Sequence, residues 1–556
     1  LSVGDHEVLD GMILKNMKEG LQLLNQHIRN QSNIHIQVDS DTDGYMSSAI
    51  MIQYLKKVSP NLKITYTIHK GKEHGIIPEI LKGYEFDLLI VPDAGSNDIY
   101  QCKQLKNQGK DILIIDHHEI ENENKYATVI NCMDGQYKNP HLSGTAMVYK
   151  FCKEYDKMYG HNVADEFFDL VAVGTIADMI DLRSYEARWF VLKGVEKLGK
   201  GNEFLKEIMN QNEFQIQGKP NITKVAWFVS PYINCCIRSG TQEEKINMFR
   251  AILGEQEEIE YLPKATNENS NPGPEKITLQ KYMAKILKNI KNRQDREVKG
   301  HVEFLIKSVE NEGKNSDKIL ILNAPEDSSQ TYTGLIANKL ASHFKRPVLL
   351  LRKDARFDDQ FGGSGRNYSL SPIDDLRQFL LDLNVFENVS GHSNAFGVGL
   401  KENKVDELRQ LINEKLKDMS LEDVYHVDYE INVGRLRIRD IKRVAEWEDM
   451  WGGMLEEPLF AITNIYLPTD KIQLIGDKKN IIRFEAKGIS FIKKFTSEDE
   501  YNRMTMRQSK GLNRNRPKSV KLDVIGKFKL NEWNNSKYPQ VEVVDFNVTD
   551  GRDFIF

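Results

Sequence analysis

The sequence predicts an α/β chain: a parallel-sheet domain, a long connecting helix, a second α/β unit and a β-rich end. Three observations predict it. Short runs of Ile, Val and Leu recur early in the chain, each followed by a polar or helix-like stretch, as in buried parallel strands wound with helices. Residues 277–298 carry an unbroken helical repeat. After Tyr425 the pattern turns to short strands with no long helix among them.

The early runs are Ile34–Val38, Ile64–Ile68, 88–91 and 112–115. A mainly helical stretch follows Asp178. Residues 255–276 are first acidic, then rich in Asn, Ser, Pro and Gly, which reads as a surface loop. In 277–298, Leu279, Tyr282, Met283, Ile286, Leu287 and Ile290 recur at three- and four-residue steps, while Lys281, Lys285, Lys288 and Asn292 share another face. At ~1.5 Å per residue this helix would reach roughly 30 Å, enough to bridge two domains. The second α/β unit starts at 319–322 and passes through a helix at 334–344 to a strand at 348–351. Gly-rich segments follow at 362–365, read as a loop after a strand, and at 391–399. Candidate strands at 472–475, 481–485, 520–526 and 541–547 suit a small β-barrel of the oligonucleotide-binding type.

Composition narrows the class. The 556 residues are 40% hydrophobic and 28% charged, as in an ordinary globular chain. At ~150 residues per domain, that length suggests three or four domains. No run approaches ~18 apolar residues, so no membrane span is expected. Residues 1–20 carry charges throughout and lack a signal-peptide core, and with no initiator Met, residues before Leu1 are expected to have been removed or left out. The five cysteines, Cys102, Cys132, Cys152, Cys235 and Cys236, form no CxxC pair, which excludes a zinc ribbon and fits a reducing cytoplasm. A net charge of −5 excludes a chain that is basic all over, but not a locally basic channel. Arg503, Arg507, Lys510, Arg514, Arg516, Lys518 and Lys521 make one basic run, which by charge alone reads as a solvated loop.

Three strand ends carry the chemistry. Asp39-Ser40-Asp41-Thr42-Asp43-Gly44 follows the first run, Pro92-Asp93-Ala94-Gly95 the third, and Asp116-His117-His118-Glu119 the fourth. The carboxyl ends of neighbouring parallel strands share one crevice, so these groups converge. Residues 171–181 can add Asp178 or Asp181 from the end of another apolar run. Crowded carboxylates stay ionised only beside cations, and carboxylate with imidazole suits manganese or magnesium. Two such ions held by a shared carboxylate are equipped to cleave a phosphodiester. A calcium loop starting at Asp39 would need Glu at its twelfth place, where Ile50 stands. Taken singly, Asp39–Gly44 reads as a capped turn and His117-His118 as ordinary histidines; together at successive strand ends they do not.

Asp39–Gly44, Asp93–Gly95, Asp116-His117-His118 and Gly174 to Asp178 resemble the four motifs of the DHH phosphoesterase superfamily. The segment from Pro231 to Arg238 (P-Y-I-N-C-C-I-R) resembles the P-R-I-N-A-A-G-R segment of its RecJ single-strand-specific exonucleases. Gly362 to Arg366 and Ser390 to Gly397 resemble the G-S-x-R and G-G-H-x-x-A-x-G signatures of the DHH-associated domain. Asn531-Glu532-Trp533 with Pro539, Gln540 and Asp545 resembles a segment of the family's oligonucleotide-binding barrel.

The resemblance implies metal ligands at Asp41, Asp43, Asp93, His117 and Asp178, with Asp93 bridging two Mn2+ or Mg2+ ions. His118 matches the histidine that faces the scissile phosphate. Asp39 and Asp116 would hold the ligands in place, and Asp181 would be structural. Arg238, Ser364, Arg366, His392 and Lys70 (or His69, where the family has an Arg) would bind the strand. Single-strand binding also needs stacking surfaces, for which Phe361, Tyr368, Phe396 and Trp533 are candidates, although for each one taken singly core is the better reading. The sequence departs from the family at Gln37, where several members place a His ligand, and at Tyr232, Cys236 and Ile237. The implied layout is a DHH catalytic domain at 1–185, a helical region with the long helix at 186–300, a DHH-associated substrate domain at 301–415 and an oligonucleotide-binding barrel at 416–556. The implied activity is 5′→3′ hydrolysis of single-stranded DNA to mononucleotides, in repair or recombination, by a cytoplasmic monomer. A single-strand-binding protein or helicase would be its protein partner. Two rivals are a phosphodiesterase for short oligonucleotides or cyclic dinucleotides and an inactive replication scaffold. Chain length and the β-rich end weigh against the first, and the intact ligand set against the second.

Overall fold

Hydrophobic strands too short to stand alone build the first sheet of the computed structural model, which describes residues 3–71, 73–216, 219–263, 271–313, 317–354, 359–505, 519–533 and 536–549. Its strands are β1 (Ile34–Val38), β2 (Ile64–Ile68), β3 (Leu88–Pro92), β4 (Asp111–Asp116) and β5 (Thr128–Asn131), all parallel, in the order β2-β1-β3-β4-β5. β1 and β3 are buried at every position, which is why they read as unbroken apolar runs rather than alternating ones. β5 has only Val129 and Ile130 as apolar residues and gives no such signal. From β1 the chain moves to one side for β2 and returns to the other for β3, so the order reverses between β1 and β3. That reversal opens a crevice at their carboxyl ends.

Helices complete the layers. Thr42–Val58 starts where β1 ends, and Gly144–Tyr159 packs beside it. Phe168–Ala177 is buried from Phe168 to Ile176, so its apolar residues surround the axis rather than forming a stripe. Tyr185–Lys197 packs on that helix through Gly194, where an added Cβ would lie 2.0 Å from the Phe168 carbonyl oxygen and 2.4 Å from Ala172 Cβ.

The stretch expected as a surface loop forms an antiparallel ribbon, β6 (Glu258–Tyr261) with β7 (Glu275–Thr278). The long helix is Leu279–Asn311, 33 residues. It begins two residues later than expected, because Ile277 is in β7, and it continues past Val298. The apolar repeat thins there, yet Val298, Leu305 and Val309 are buried, and this burial sustains the helix.

The chain forms two compact units: Leu1–Asn234, Lys245–Ala284 and His426–Phe556 make one, and Cys235–Glu244 with Lys285–Tyr425 the other. The second unit holds the sheet β11-β12-β10-β9-β8, from β8 (Leu320–Asn323), β9 (Val348–Lys353), β10 (Gln360–Arg366), β11 (Asn388–His392) and β12 (Ala395–Lys401). Here the expected Gly-rich loop is a strand, β10. Its glycines admit close neighbours: a Cβ on Gly363 would meet the Leu350 carbonyl oxygen at 2.6 Å, and one on Gly365 the Phe396 ring at 2.3 Å.

The β-rich end, in the first unit, has seven strands: β13 (Tyr429–Asn432), β14 (Phe460–Pro468), β15 (Gln473–Ile475), β16 (Ile481–Ala486), β17 (Ile489–Lys494), β18 (Ser519–Trp533) and β19 (Ser536–Thr549), ordered β13-β14-β18-β19-β17-β16-β15. Alternate residues such as Ile462, Phe484, Phe491, Leu522, Val524 and Val541 fill its core. Its helices are short, as expected: Ile438–Ala445 and Glu498–Met504. Of the basic run, Arg503 lies on Glu498–Met504 and Lys521 on β18, while Arg507, Lys510, Arg514, Arg516 and Lys518 fall outside the described residues. Among the described residues, no helix is long and apolar enough to cross a membrane.

The contact at Gly194 gives a test of packing beneath the site. Gly194→Ala should lower unfolding free energy by about 1–3 kcal/mol, because the new methyl strikes backbone that cannot swing away. Urea denaturation measures this; an unchanged midpoint would show the two helices are not seated this closely.

Candidate metal centre

The strand ends deliver Asp39 after β1, Asp93 after β3, and His117-His118 after β4, whose last residue is Asp116. Local structure then aims each side chain. Asp41 is the N-cap of Thr42–Val58 and accepts the Gly44 N–H at 2.9 Å. Asp43, in that helix's first turn, accepts the N–H groups of Gly144 at 2.5 Å and Thr145 at 3.0 Å. The start of Gly144–Tyr159 thus turns its positive end onto a carboxylate. Asp178 caps the C-terminal end of Phe168–Ala177.

These groups form three clusters in which every ligand atom lies within 4.8 Å of the others: Asp39, Asp41 and Asp93; Asp43, His117 and Asp178; Asp93, His117 and His118. Asp93 belongs to two of them. His117 Nε2 lies 3.1 Å from Asp93 Oδ1, 3.6 Å from Asp178 Oδ2 and 3.9 Å from Asp43 Oδ2. Close approach is built in, since a Cβ on Gly144 would sit 2.3 Å from Asp93 Oδ1 and one on Gly174 2.4 Å from Asp43 Oδ1. Asp93 also holds a left-handed backbone, φ 67°, which costs of order 1 kcal/mol or more for a residue other than glycine.

The electrostatics call for cations. Asp93 is 1% exposed, and neither carboxylate oxygen accepts a hydrogen bond. Burial, reinforced by Asp43, Asp41, Asp39 and Asp178, pushes its pKa well above the usual carboxylate range. Burial and the neighbouring acids Asp43 and Asp41 raise Asp178, and burial with Asp39 and Asp43 raises Asp41. Such a cluster is stable ionised only around positive charge. Oxygen ligands with one or two imidazoles and no thiolate fit magnesium or manganese. The residues present therefore fit two divalent ions.

The adjacent histidines sit in opposite environments. Burial lowers His117, leaving it a neutral donor. A 2.8 Å hydrogen bond from His118 Nδ1 to Asp116 Oδ1 raises His118 to about 9. Burial alone would push Asp116 up, but the His118 bond and both imidazoles outweigh it and hold Asp116 well below its usual value. Asp116 also accepts the N–H groups of Ser96, His117 and His118.

The family models for the DHH family, N-terminal domain and for the RecJ OB domain match residues 33–175 and 427–545. A putative SPbeta prophage-derived single-strand DNA-specific exonuclease, YorK, of Bacillus subtilis is 35% identical over all of this chain and 95% of its own length. The chain belongs to the RecJ family of DHH proteins. The single-stranded-DNA-specific exonuclease RecJ of Bacillus subtilis is 25% identical over 100% of this chain and 66% of its own. The crystal structure of RecJ in complex with Mn2+ from Thermus thermophilus shares the fold, with a TM-score of 0.71 at 19% identity over 96% of this chain and 72% of that one. Its Mg2+ complex gives 0.65 over 96% and 70%.

Other residues marked by the RecJ resemblance lie as follows. Asp39 accepts from Gly75 N–H at 3.1 Å and pairs with His74 Nδ1 at 2.7 Å. Asp181 pairs with Arg183. Lys70 is exposed, whereas His69 is buried with its ring nitrogens on Gln37 Nε2 and the Glu73 carbonyl, so His69 cannot meet a phosphate. Gln37 is 1% exposed, donates to the Gly75 carbonyl and keeps Oε1 without a partner. Arg238, Ser364, Arg366 and His392 belong to the second unit. Phe361 and Phe396 are in that unit's core, not on a stacking surface, because they fill the space beside glycine-rich β10. Tyr368 is half-buried, and the side chain of Trp533 lies outside the described residues.

Sequence reasoning missed His74, the Gly144 and Thr145 N–H groups, and Asn234, whose Oδ1 accepts the Thr42 hydroxyl at 2.8 Å. Ser143-Gly144-Thr145 ahead of an apolar helix was a readable cap signal; His74 has none.

Repulsion within the cluster has a measurable consequence. In metal-stripped protein, Asp93→Asn should raise the melting temperature by several degrees, on the order of 1–3 kcal/mol, by removing a buried carboxyl crowded by other acids. The same change should erase the thermal upshift that Mn2+ gives the unaltered chain. Scanning calorimetry with and without Mn2+ checks both.

Proposed function

We propose that this chain is a metal-dependent exonuclease that hydrolyses single-stranded DNA from the 5′ end to mononucleotides. The reading rests most heavily on Asp93, a buried carboxylate with bare oxygens shared by two ligand clusters. In this reading Asp41, Asp43, Asp93, His117 and Asp178 hold two divalent ions, and Asp39 and Asp116 steady the ligands. When bound, those ions supply the Lewis acidity that activates a water and stabilises the leaving oxygen. The chain's own part is to position and neutralise. Asp116 fixes the His118 ring through Nδ1, so Nε2 can donate to a phosphate oxygen or return a proton to the leaving group. His118 is 54% exposed at its side chain, open to a strand.

The named activity of the relatives, single-strand DNA-specific hydrolysis, supports this substrate, and the match to the RecJ OB domain supports a second contact along the strand. A strand released by a helicase or held by a single-strand-binding protein would be the natural supply. Cytoplasmic repair or recombination, by a monomer, completes the reading.

Two metal ions do not tell strand direction, so polarity needs another contact. Arg366 suits a terminal phosphate. Burial lowers its pKa, no carboxylate pairs with it among the described residues, and it donates to the Gly365 carbonyl. Ser364 Oγ lies 2.9 Å from Thr333 Oγ1, at the start of helix Thr333–Phe344, and a Cβ on Gly334 would sit 2.5 Å from Arg366 Nη2. Arg238, His392 and Lys70 would add contacts along the backbone.

With Mn2+, the chain should degrade long 5′-phosphorylated single strands and leave duplex and cyclic dinucleotides intact. A 5′-hydroxyl end should be cut more slowly. Arg366→Ala should narrow that gap, losing about tenfold on the phosphorylated end, as expected for roughly 1.5 kcal/mol of charge-assisted hydrogen bonding. Equal loss on both ends refutes the phosphate contact; cleavage of cyclic dinucleotides alone, or of nothing, refutes the exonuclease.

A further inference from the structure

Met179 directly follows Asp178 and holds an unusual position. The helix Phe168–Ala177 closes with the Met179 N–H on the Ile176 carbonyl at 3.3 Å and the Ile180 N–H on the Thr175 carbonyl at 3.4 Å. This closure places Met179 in the left-handed region, φ 56°, where glycine is the usual residue because a side chain is strained. Burial of the side chain does not offset that strain at Met179, which is 57% exposed.

A second exposed methionine lies on a segment that abuts this one. The turn Gly452 to Leu455 is closed by reciprocal backbone hydrogen bonds of 3.0 Å. Its Gly453, φ 55°, packs so tightly that a Cβ would lie 2.6 Å from the Ile180 carbonyl oxygen. Its Gly452 would meet Ile222 at 2.2 Å, and Asn221 Nδ2 donates to Asp449 Oδ1 at 2.9 Å. The turn is thus pinned beside the segment carrying Asp178, and it presents Met454, 55% exposed. A lone exposed methionine needs no explanation. Two on abutting segments beside a carboxylate cluster, one at a strained position that glycine would relieve, do.

We propose that Met179, with Met454 on the abutting segment, contacts the faces of the bases next to the scissile phosphate. The inference rests on the single-strand exonuclease reading. Thioethers are polarizable and conform to any aromatic face, and they offer no strong hydrogen bond by which to choose a base. They would grip a moving strand without reading its sequence. They also require unstacked, exposed base faces, which a duplex does not present.

The test uses the full chain with Mn2+ and two 5′-phosphorylated single strands, one normal and one lacking the bases of its first two nucleotides. Met179→Gly should lower kcat/KM on the normal strand about tenfold, chiefly through KM, and by no more than about threefold on the strand without those bases. Met179→Leu should restore most of the loss. The melting temperature of Met179→Gly should not fall, since glycine relieves the backbone. Equal losses on both strands, or none on the normal strand, overturn the contact. A lower melting temperature with equal losses would mean that Met179 only closes its helix. If the unaltered chain degrades neither strand, the exonuclease reading has failed and the inference falls with it.

Discussion

The repulsion among buried carboxylates at the ends of β1 and β3 governs the rest of this structure. Asp39, Asp43 and Asp93 are each at most 2% exposed, and Asp41 and Asp178 stand beside them. Water has little access to Asp39, Asp43 and Asp93, and no lysine or arginine pairs with any of the five among the described residues. The fold nonetheless presses them together, with glycines at Gly44, Gly144 and Gly174 where a methyl would strike the acids or their backbone. A chain that spends stability in this way does so for a ligand that repays it, and divalent cations are the ligands that oxygen-rich clusters favour.

The surrounding elements respond to that charge. The start of Gly144–Tyr159 donates its first N–H groups to Asp43, and the start of Thr42–Val58 is capped by Asp41. Each gives a carboxylate a defined direction while its other lone pairs stay available. The two histidines show the same environment working in opposite senses. His117 is pushed by burial toward its neutral form, against the pull of Asp43 and Asp116. His118, one residue on and half outside the crevice, is held protonated by Asp116, as a group that steadies a phosphate should be. Two residues of one type are thereby pushed toward opposite protonation states, separated by burial and one hydrogen bond.

Much of this was legible in the residues. The apolar runs of β1 to β4 announced buried parallel strands, and the acids after them announced one crevice, because parallel strands share an end. β5 was not legible, since Val129 and Ile130 are too few to signal a strand. β10 misled for a physical reason: its glycines resemble a loop, but Gly363 and Gly365 are small because Leu350 and Phe396 crowd the strand. Phe361 and Phe396 are core, which was the better reading of each aromatic taken singly. His74 left no trace, because its bond to Asp39 depends on how the chain after β2 returns to the crevice. Met179 also escaped notice; only its backbone angle and exposure reveal that the residue is costly.

Cations would balance this cluster, and counting them is the most direct test. Metal-stripped full-length chain titrated with Mn2+ in a calorimeter should bind two ions per chain, with release of protons from the raised carboxyls. Binding of no ion, or saturation at one, would contradict the two-ion centre.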